Sequence, residues 1–258
     1  MKIVLCEWGN FAVSSYFVMV LMAAFSAAIF FYILGRREGF RPTVLVDLLL
    51  LGIVAGLAGT KIVHLVSHLD WYQRMFEAGL WDLIWRHGYT SYGAIAGIAL
   101  TFSLYLKMRK EPILPYFDLI ALSAPIIILF LRIGCLFAGC CFGKPTDFFI
   151  HLTFSDPTTS VGKLYPGVPL HATQVYGMVK TVILFALLWW RWQHRKYVGQ
   201  VTVYFCVFYS TLRFLIEFLR GDPDRMMFFS GTLTSAQLAM LFLFLAGFSL
   251  FAFQRRDR

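Results

Sequence analysis

Apolar residues fall into seven long stretches, at about 14–34, 44–66, 91–106, 116–137, 171–190, 200–219 and 232–253, separated by polar connections. Each approaches the roughly 20 apolar residues that a helix needs to cross a bilayer. Strand-like alternation is absent from them, so the pattern predicts an all-α polytopic membrane protein of about seven transmembrane helices. Two connections are long. Segment 67–90 carries Trp71, Trp81 and Trp85, which suit an interfacial belt or a helix lying on the membrane, and segment 138–170 carries Pro145, Pro157, Pro166 and Pro169. Neither contains low-complexity sequence, and with no internal repeat the chain reads as one domain over 1–258.

Composition agrees with the pattern. Of 258 residues, 59% are hydrophobic and only 14% charged, with a mean hydropathy of +0.69, far from a soluble domain. The opening MKIVLCEWGN has too short an apolar stretch before Glu7 for a cleavable leader, which makes Cys6 an ordinary residue.

Charge then supplies orientation. Basic residues cluster in four connections: Arg36, Arg37 and Arg41; Lys107, Arg109 and Lys110; Arg191, Arg195 and Lys196; Arg255, Arg256 and Arg258. By the positive-inside rule these are cytoplasmic, which puts the N-terminus outside and the C-terminus in the cytoplasm. The net charge of +9 is therefore mostly a topology signal, with a contribution to binding anionic lipid. No RNA- or DNA-binding motif is present, so nucleic acid is not expected as a partner.

Polar residues inside the apolar stretches are costly and mark function. Lys61 and His64 share a face of the second stretch at i,i+3, and Arg213 and Glu217 share one of the sixth at i,i+4. Arg132 ends the fourth. Lys180, in the fifth, is placed to snorkel or to pair, while Asp47 and Asp118 fall near cytoplasmic ends and read as interfacial. Arg213–Glu217 can be a self-satisfying strut; Arg220, one turn further, adds a second cation to the single carboxylate and favours an anion site. A guanidinium makes bidentate hydrogen bonds to phosphate, and the plentiful anion at the outer leaflet is a phospholipid head. Arg132, Arg213 and Arg220 thus point to a phospholipid-binding membrane protein: an enzyme, a flippase or a lipid-regulated scaffold.

The segment RIGCLFAGCCFG, from Arg132 to Gly143, sets three cysteines beside one of these arginines. Four readings stay open: a disulfide from Cys135 to Cys140 or Cys141, packing of small reduced thiols, a nucleophilic thiol activated by Arg132, and a metal site with His87, His151 or His171, for which CxxxxCC lacks the usual zinc spacing.

Several of these motifs, in order, resemble the prolipoprotein diacylglyceryl transferase family. Tyr16 matches the tyrosine near the start of its first helix. LAGTKIVHLV is similar to its GGRLGY-like stretch, with Lys61 for the arginine and His64 for the tyrosine. WRHGYTSYGAIAG resembles its W-x-GG-x-S-F-HGG segment, and RIGCLFAGCCFG its R-x-GNF-x-N-x-E-x-x-G signature. HATQVY resembles HPSQLYE, YSTLRFLIEFLRGDPD resembles R-F-x-x-E-F-x-R-x-PD, and SAQL, with Gln237 and Leu238, echoes the GQ opening the last helix.

The resemblance implies a seven-helix inner-membrane fold with its site at the outer leaflet. It also implies transfer of the diacylglyceryl group of phosphatidylglycerol to the thiol of a lipobox cysteine in a lipoprotein precursor, without cofactor or metal. By position, Arg132 and Arg213 would grip the phosphate, Glu217 would orient Arg213 or accept a proton, and Arg220 would support the pair. Gly134 and Gly143 would keep the loop close to the head group, Tyr16 would hydrogen-bond the lipid, and His171, Gln174 and Tyr176 would line the site. Cys135 and Cys140 stand where the family has asparagine and glutamate, Tyr92 where it has histidine, and Gly177 where it has glutamate. The expectation is that the donor is kept while the acceptor or its activation has changed, with His87, His64 or the Tyr92 phenol as replacement base. The alternative is a non-catalytic lipid-binding or lipid-transporting paralogue.

Overall fold

The computed structural model describes residues 4–8, 11–86, 91–223, 227–228 and 231–256. Each apolar stretch holds a helix. These are α1 (Ser15–Arg37), α2 (Pro42–Ser67), α5 (Ser91–Met108), α6 (Ile113–Ala138), α8 (Thr173–Gln193), a segmented helix over 200–217, and α11 (Ser235–Arg256). Between α2 and α5 lie the short helices α3 (Leu69–Glu77) and α4 (Trp81–Arg86), and before α8 lies α7 (Ser160–Leu164). Among the described residues, five helices are long and apolar enough to cross a membrane: α1, α2, α6, α8 and α11. α5 is shorter, and the 200–217 helix is broken into α9 (Gln200–Tyr204), a π-helical turn (Phe205–Tyr209) and α10 (Ser210–Glu217). Among the described residues, strands are confined to small antiparallel pairs: β1 (Val4–Trp8) with β2 (Phe11–Ser14), β3 (His151–Leu152) with β4 (Leu170–His171), and β5 (Met227–Phe228) with β6 (Leu233–Thr234). The chain is a helical membrane protein.

Contacts group it into two compact units, Met1–Phe31 with Leu114–Arg258, and Tyr32–Ile113. In the second unit α2 lies against α5 with backbone almost touching backbone. A Cβ on Gly59 would sit 2.2 Å from the Gly93 carbonyl oxygen, and one on Gly97 would sit 2.6 Å from that of Ala55. Lipid tails are as apolar as leucine, so close packing of small residues, not hydrophobic burial, holds such helices together. At the cytoplasmic-predicted side Arg41 meets Glu111 at 2.9 Å, and the Tyr105 hydroxyl donates to Asp47.

In the first unit the start of α9 depends on a distant carboxylate. Its N-cap, Gly199, adopts φ +86° and has no side chain to cap with. Asp118 on α6 accepts from the Gly199 N–H at 2.7 Å, the Thr202 N–H at 2.7 Å and the Thr202 hydroxyl at 2.8 Å. Asp118 is therefore buried, at 3% exposure: three donors at a helix start hold it inside. Asp118→Ala leaves all three buried donors unmet. Each costs about 1–3 kcal/mol, so a fall in thermal midpoint of many degrees is expected by fluorescence, and an unchanged midpoint would contradict the capping role.

Candidate lipid-phosphate site

The site residues of the first unit come from α6 and the loop after it, from the start of α8 and from α10. Glu217, at 2% exposure, is its centre. It pairs with Arg213 on the same helix face, stands 3.6 Å from Arg220, and accepts from the Thr234 hydroxyl at 3.3 Å. Gln237 holds Thr234 in turn through its own Oε1 and the Thr234 N–H, 2.9 Å apart. The predicted excess of positive charge at Arg220 is modified by a second acid. Asp222 takes Arg220 Nε at 2.7 Å and Nη2 at 2.6 Å, so the four charges of Arg213, Arg220, Glu217 and Asp222 cancel.

The uncompensated charge lies elsewhere. Arg132, in the last two turns of α6, has no carboxylate partner among the described residues. Its stem runs over Gly177 on α8, where an added Cβ would stand 2.9 Å from Arg132 Cδ. Gly177 thus opens the path that the guanidinium takes. Lys180, one turn along α8, neither snorkels nor pairs. It is 6% exposed, its Nζ has no hydrogen-bond partner, and it lies over the Tyr209 ring at 4.4 Å. The charges of Arg132 and Arg213 act on it. Reading the chain alone left Lys180 undecided; the neighbouring Gly177 is the signal, since it removes the bulk that would keep α8 from α6.

The loop after α6 is clamped from two sides. Thr173 donates to the Cys141 carbonyl at 2.6 Å and Gln174 to that of Cys140 at 2.9 Å. Gly143 forms an antiparallel bridge with Arg220, and its missing Cβ would lie 2.4 Å from His171 Cβ, so only glycine fits there. Gly134 makes the same allowance for Tyr16, whose Cδ2 would be 3.0 Å from an added Cβ. The Tyr176 hydroxyl donates to the Ile150 carbonyl at 2.6 Å and lies 3.5 Å from His171 Nδ1. Gln174 is fully buried, and its Oε1 has no partner.

Cys135, Cys140 and Cys141 carry free thiols, with all three sulfurs within 4.8 Å of one another. Hydrogen bonds from the Cys135 and Cys140 thiols, then the Arg220 and Arg132 guanidiniums, hold the Cys141 thiol far below its ordinary range, while the bonds of Cys140 with Cys135 and Cys141, and its burial, push Cys140 up.

The remaining predicted residues belong to the second unit. Lys61 donates to the Ile84 carbonyl and lies 5.7 Å from the Tyr72 ring centroid. His64 Nδ1 is 3.0 Å from the Tyr72 hydroxyl, and its ring stacks on His68 at 4.1 Å. Tyr92 is half-buried on α5. His87 lies outside the described residues.

Two comparisons with known proteins bear on the family. The family described as Prolipoprotein diacylglyceryl transferase matches residues 3–253. The chain is 30% identical to phosphatidylglycerol–prolipoprotein diacylglyceryl transferase 2 of Clostridium perfringens (strain 13 / Type A), over 97% of this chain and 94% of that protein. It is 29% identical to the phosphatidylglycerol–prolipoprotein diacylglyceryl transferase of Clostridium tetani, over 99% and 98%, and 26% identical to that of Bordetella avium, over 96% and 92%.

Proposed function

This chain belongs to the prolipoprotein diacylglyceryl transferase family, and from that premise we propose that it transfers the diacylglyceryl group of phosphatidylglycerol to a cysteine thiol of a lipoprotein precursor. The observation that carries the reading is the positive charge left over at Arg132 beside the neutralised Arg213–Glu217–Arg220–Asp222 group. A dianionic or monoanionic phosphate is the partner such a surplus needs inside hydrocarbon.

In the reaction the acceptor sulfur bonds to the diacylglyceryl carbon as that carbon's bond to the phosphate oxygen breaks. Glycerol phosphate leaves with the bonding electrons, so negative charge grows on the phosphate. Arg132 and Arg213 stabilise it there, worth most in a dry site. Glu217 fixes the plane of the Arg213 guanidinium, and Arg220 shares that carboxylate. Gln174 Oε1 accepts from a glycerol hydroxyl of the head group, with Tyr16, His171 and Tyr176 lining the lipid. The thiol must lose its proton, and we assign that step to one base, His64, His87 or the Tyr92 phenol.

The same proposal sets all seven helices across the bacterial inner membrane, N-terminus outside, C-terminus in the cytoplasm, site towards the outer leaflet. The four basic clusters at the ends of α1, α5, α8 and α11 support that orientation. A second reading, a paralogue that binds or moves lipid without reacting it, or one that uses another acceptor, is favoured by Cys135 and Cys140 at the signature positions.

One assay separates these. Purified protein with labelled phosphatidylglycerol and a lipobox peptide is expected to release glycerol phosphate and lipidate the peptide, and Arg132→Ala to slow both by about 10²–10³-fold. Binding without release supports the lipid carrier; release without peptide lipidation supports another acceptor. Undiminished transfer by Arg132→Ala contradicts the assigned role.

A further inference from the structure

The chain after α6 brings three cysteines together by a route that sequence spacing does not show. Cys135 is in the last turn of α6 and 8% exposed. Gly139 then turns back at φ +63°, and Cys141 adopts φ +58°. Neighbouring side chains of an extended strand point to opposite faces; the left-handed Cys141 instead swings its side chain onto the side of Cys140. That conformation costs a non-glycine residue about 1–2 kcal/mol. Clamping of both peptide carbonyls by Thr173 and Gln174 sustains it.

We propose that Cys135, Cys140 and Cys141 form a three-thiolate site for a thiophilic d10 cation, Zn(II) or Cu(I). The geometry is close to what such an ion requires. Metal–sulfur bonds of about 2.3 Å set sulfurs roughly 3.8–4.0 Å apart in tetrahedral or trigonal coordination, and the three sulfurs here lie within 4.8 Å of one another. The donor set is soft throughout, which selects Zn(II) or Cu(I) and rejects Mg(II) or Ca(II). Charge balance also fits. Three thiolates with Zn(II) carry one net negative charge, with Cu(I) two, and the Arg132 guanidinium, which has no carboxylate partner among the described residues, acts on Cys141. Binding is a ligand exchange without redox change: three sulfur–metal bonds form and three thiol protons pass to solvent. The metal would tie the end of α6 to the loop bridged to Arg220, where asparagine and glutamate side chains serve in the family signature. This inference does not depend on the transfer reaction.

The test uses full-length protein purified in detergent under reductant and desalted after loading with Zn(II) in one arm and Cu(I) in the other. Expected is one equivalent of metal per chain in at least one arm, which names the cation. Bound metal is also expected to protect Cys135, Cys140 and Cys141 from alkylation, and Co(II) to give a thiolate charge-transfer band. Cys140→Ser is expected to weaken binding at least about 100-fold, whereas Cys206→Ser, at a free thiol outside the cluster, keeps the full equivalent. Alkylation protection in the unmutated protein reads the site even where Cys140→Ser misfolds. No retained metal with all three thiols alkylated overturns the proposal. So does a pair of thiols blocked until reduction, which is a disulfide, and so does metal uptake indifferent to Cys140→Ser in folded protein.

Discussion

Arg213→Ala is expected to lower glycerol phosphate release by about 10²–10³-fold while the protein still accumulates in the membrane. The size follows from where charge develops. Removing one preorganised donor to a growing oxyanion costs about 2.7–4 kcal/mol in a water-poor site, and Arg213 is 8% exposed. Breaking a buried pair by deleting one partner costs about 3–5 kcal/mol of stability where the other charge is stranded. Here Glu217 keeps Arg220 at 3.6 Å and the Thr234 hydroxyl at 3.3 Å, so the stability loss should fall at the lower end and leave a folded protein to assay. Arg213→Lys separates charge from geometry. An ammonium restores the charge but not the planar fork, so activity should return only in part. Full turnover by folded Arg213→Ala would remove Arg213 from the phosphate site.

The second large effect concerns the helix pair of the other unit. Gly59→Leu is expected to destabilise the protein by about 3 kcal/mol or more and to reduce its accumulation. Overpacking a core usually costs about 1–3 kcal/mol because side chains can give way. At Gly59 the obstacle is backbone: the Gly93 carbonyl oxygen 2.2 Å and the Gly97 Cα 3.1 Å from the added Cβ. Only separation of α2 from α5 makes room. Gly56→Ala is the control on the same helix, since its Cβ would meet Ile98 Cδ1 at an ordinary 3.5 Å. Equal thermal midpoints for Gly59→Leu and the unmutated protein would show that the contact carries no stability.

Much of this was written in the chain. Hydrophobic runs placed the helices to within a few residues, as with 171–190 against Thr173–Gln193, because the need to satisfy backbone groups inside hydrocarbon leaves helices as the economical choice. The i,i+4 spacing of Arg213 and Glu217 announced their pairing. Spacing could not announce pairs made by tertiary approach. Asp222 turning back on Arg220 across a helix end, Gln174 reaching Cys140 from 34 residues away, and Asp118 capping a helix over 80 residues on are all of this kind. The α2–α5 contact did have a signal, the small-residue spacing of Gly93 and Gly97, which was masked by the motif around it. The break in the 200–217 helix had none, since Phe-Cys-Val-Phe-Tyr contains neither proline nor glycine.

That break changes how the helix can evolve. A π turn carries one residue more than an α-helical path of the same rise, so the faces on either side are out of phase by about 100°. Below it, α9 is indexed to α6 by the Asp118 cap. At the turn itself, Gly247 of α11 leaves room for Cys206, whose Cβ would lie 2.6 Å from an added methyl. The last residue of the turn, Tyr209, lies under Lys180, and beyond it Arg213 and Glu217 form their buried pair. The turn acts as a clutch between an anchoring segment and a chemical one. Its single surplus residue lets selection re-aim the arginine without disturbing the anchor, and losing that residue would rotate Arg213 and Glu217 together away from the proposed site.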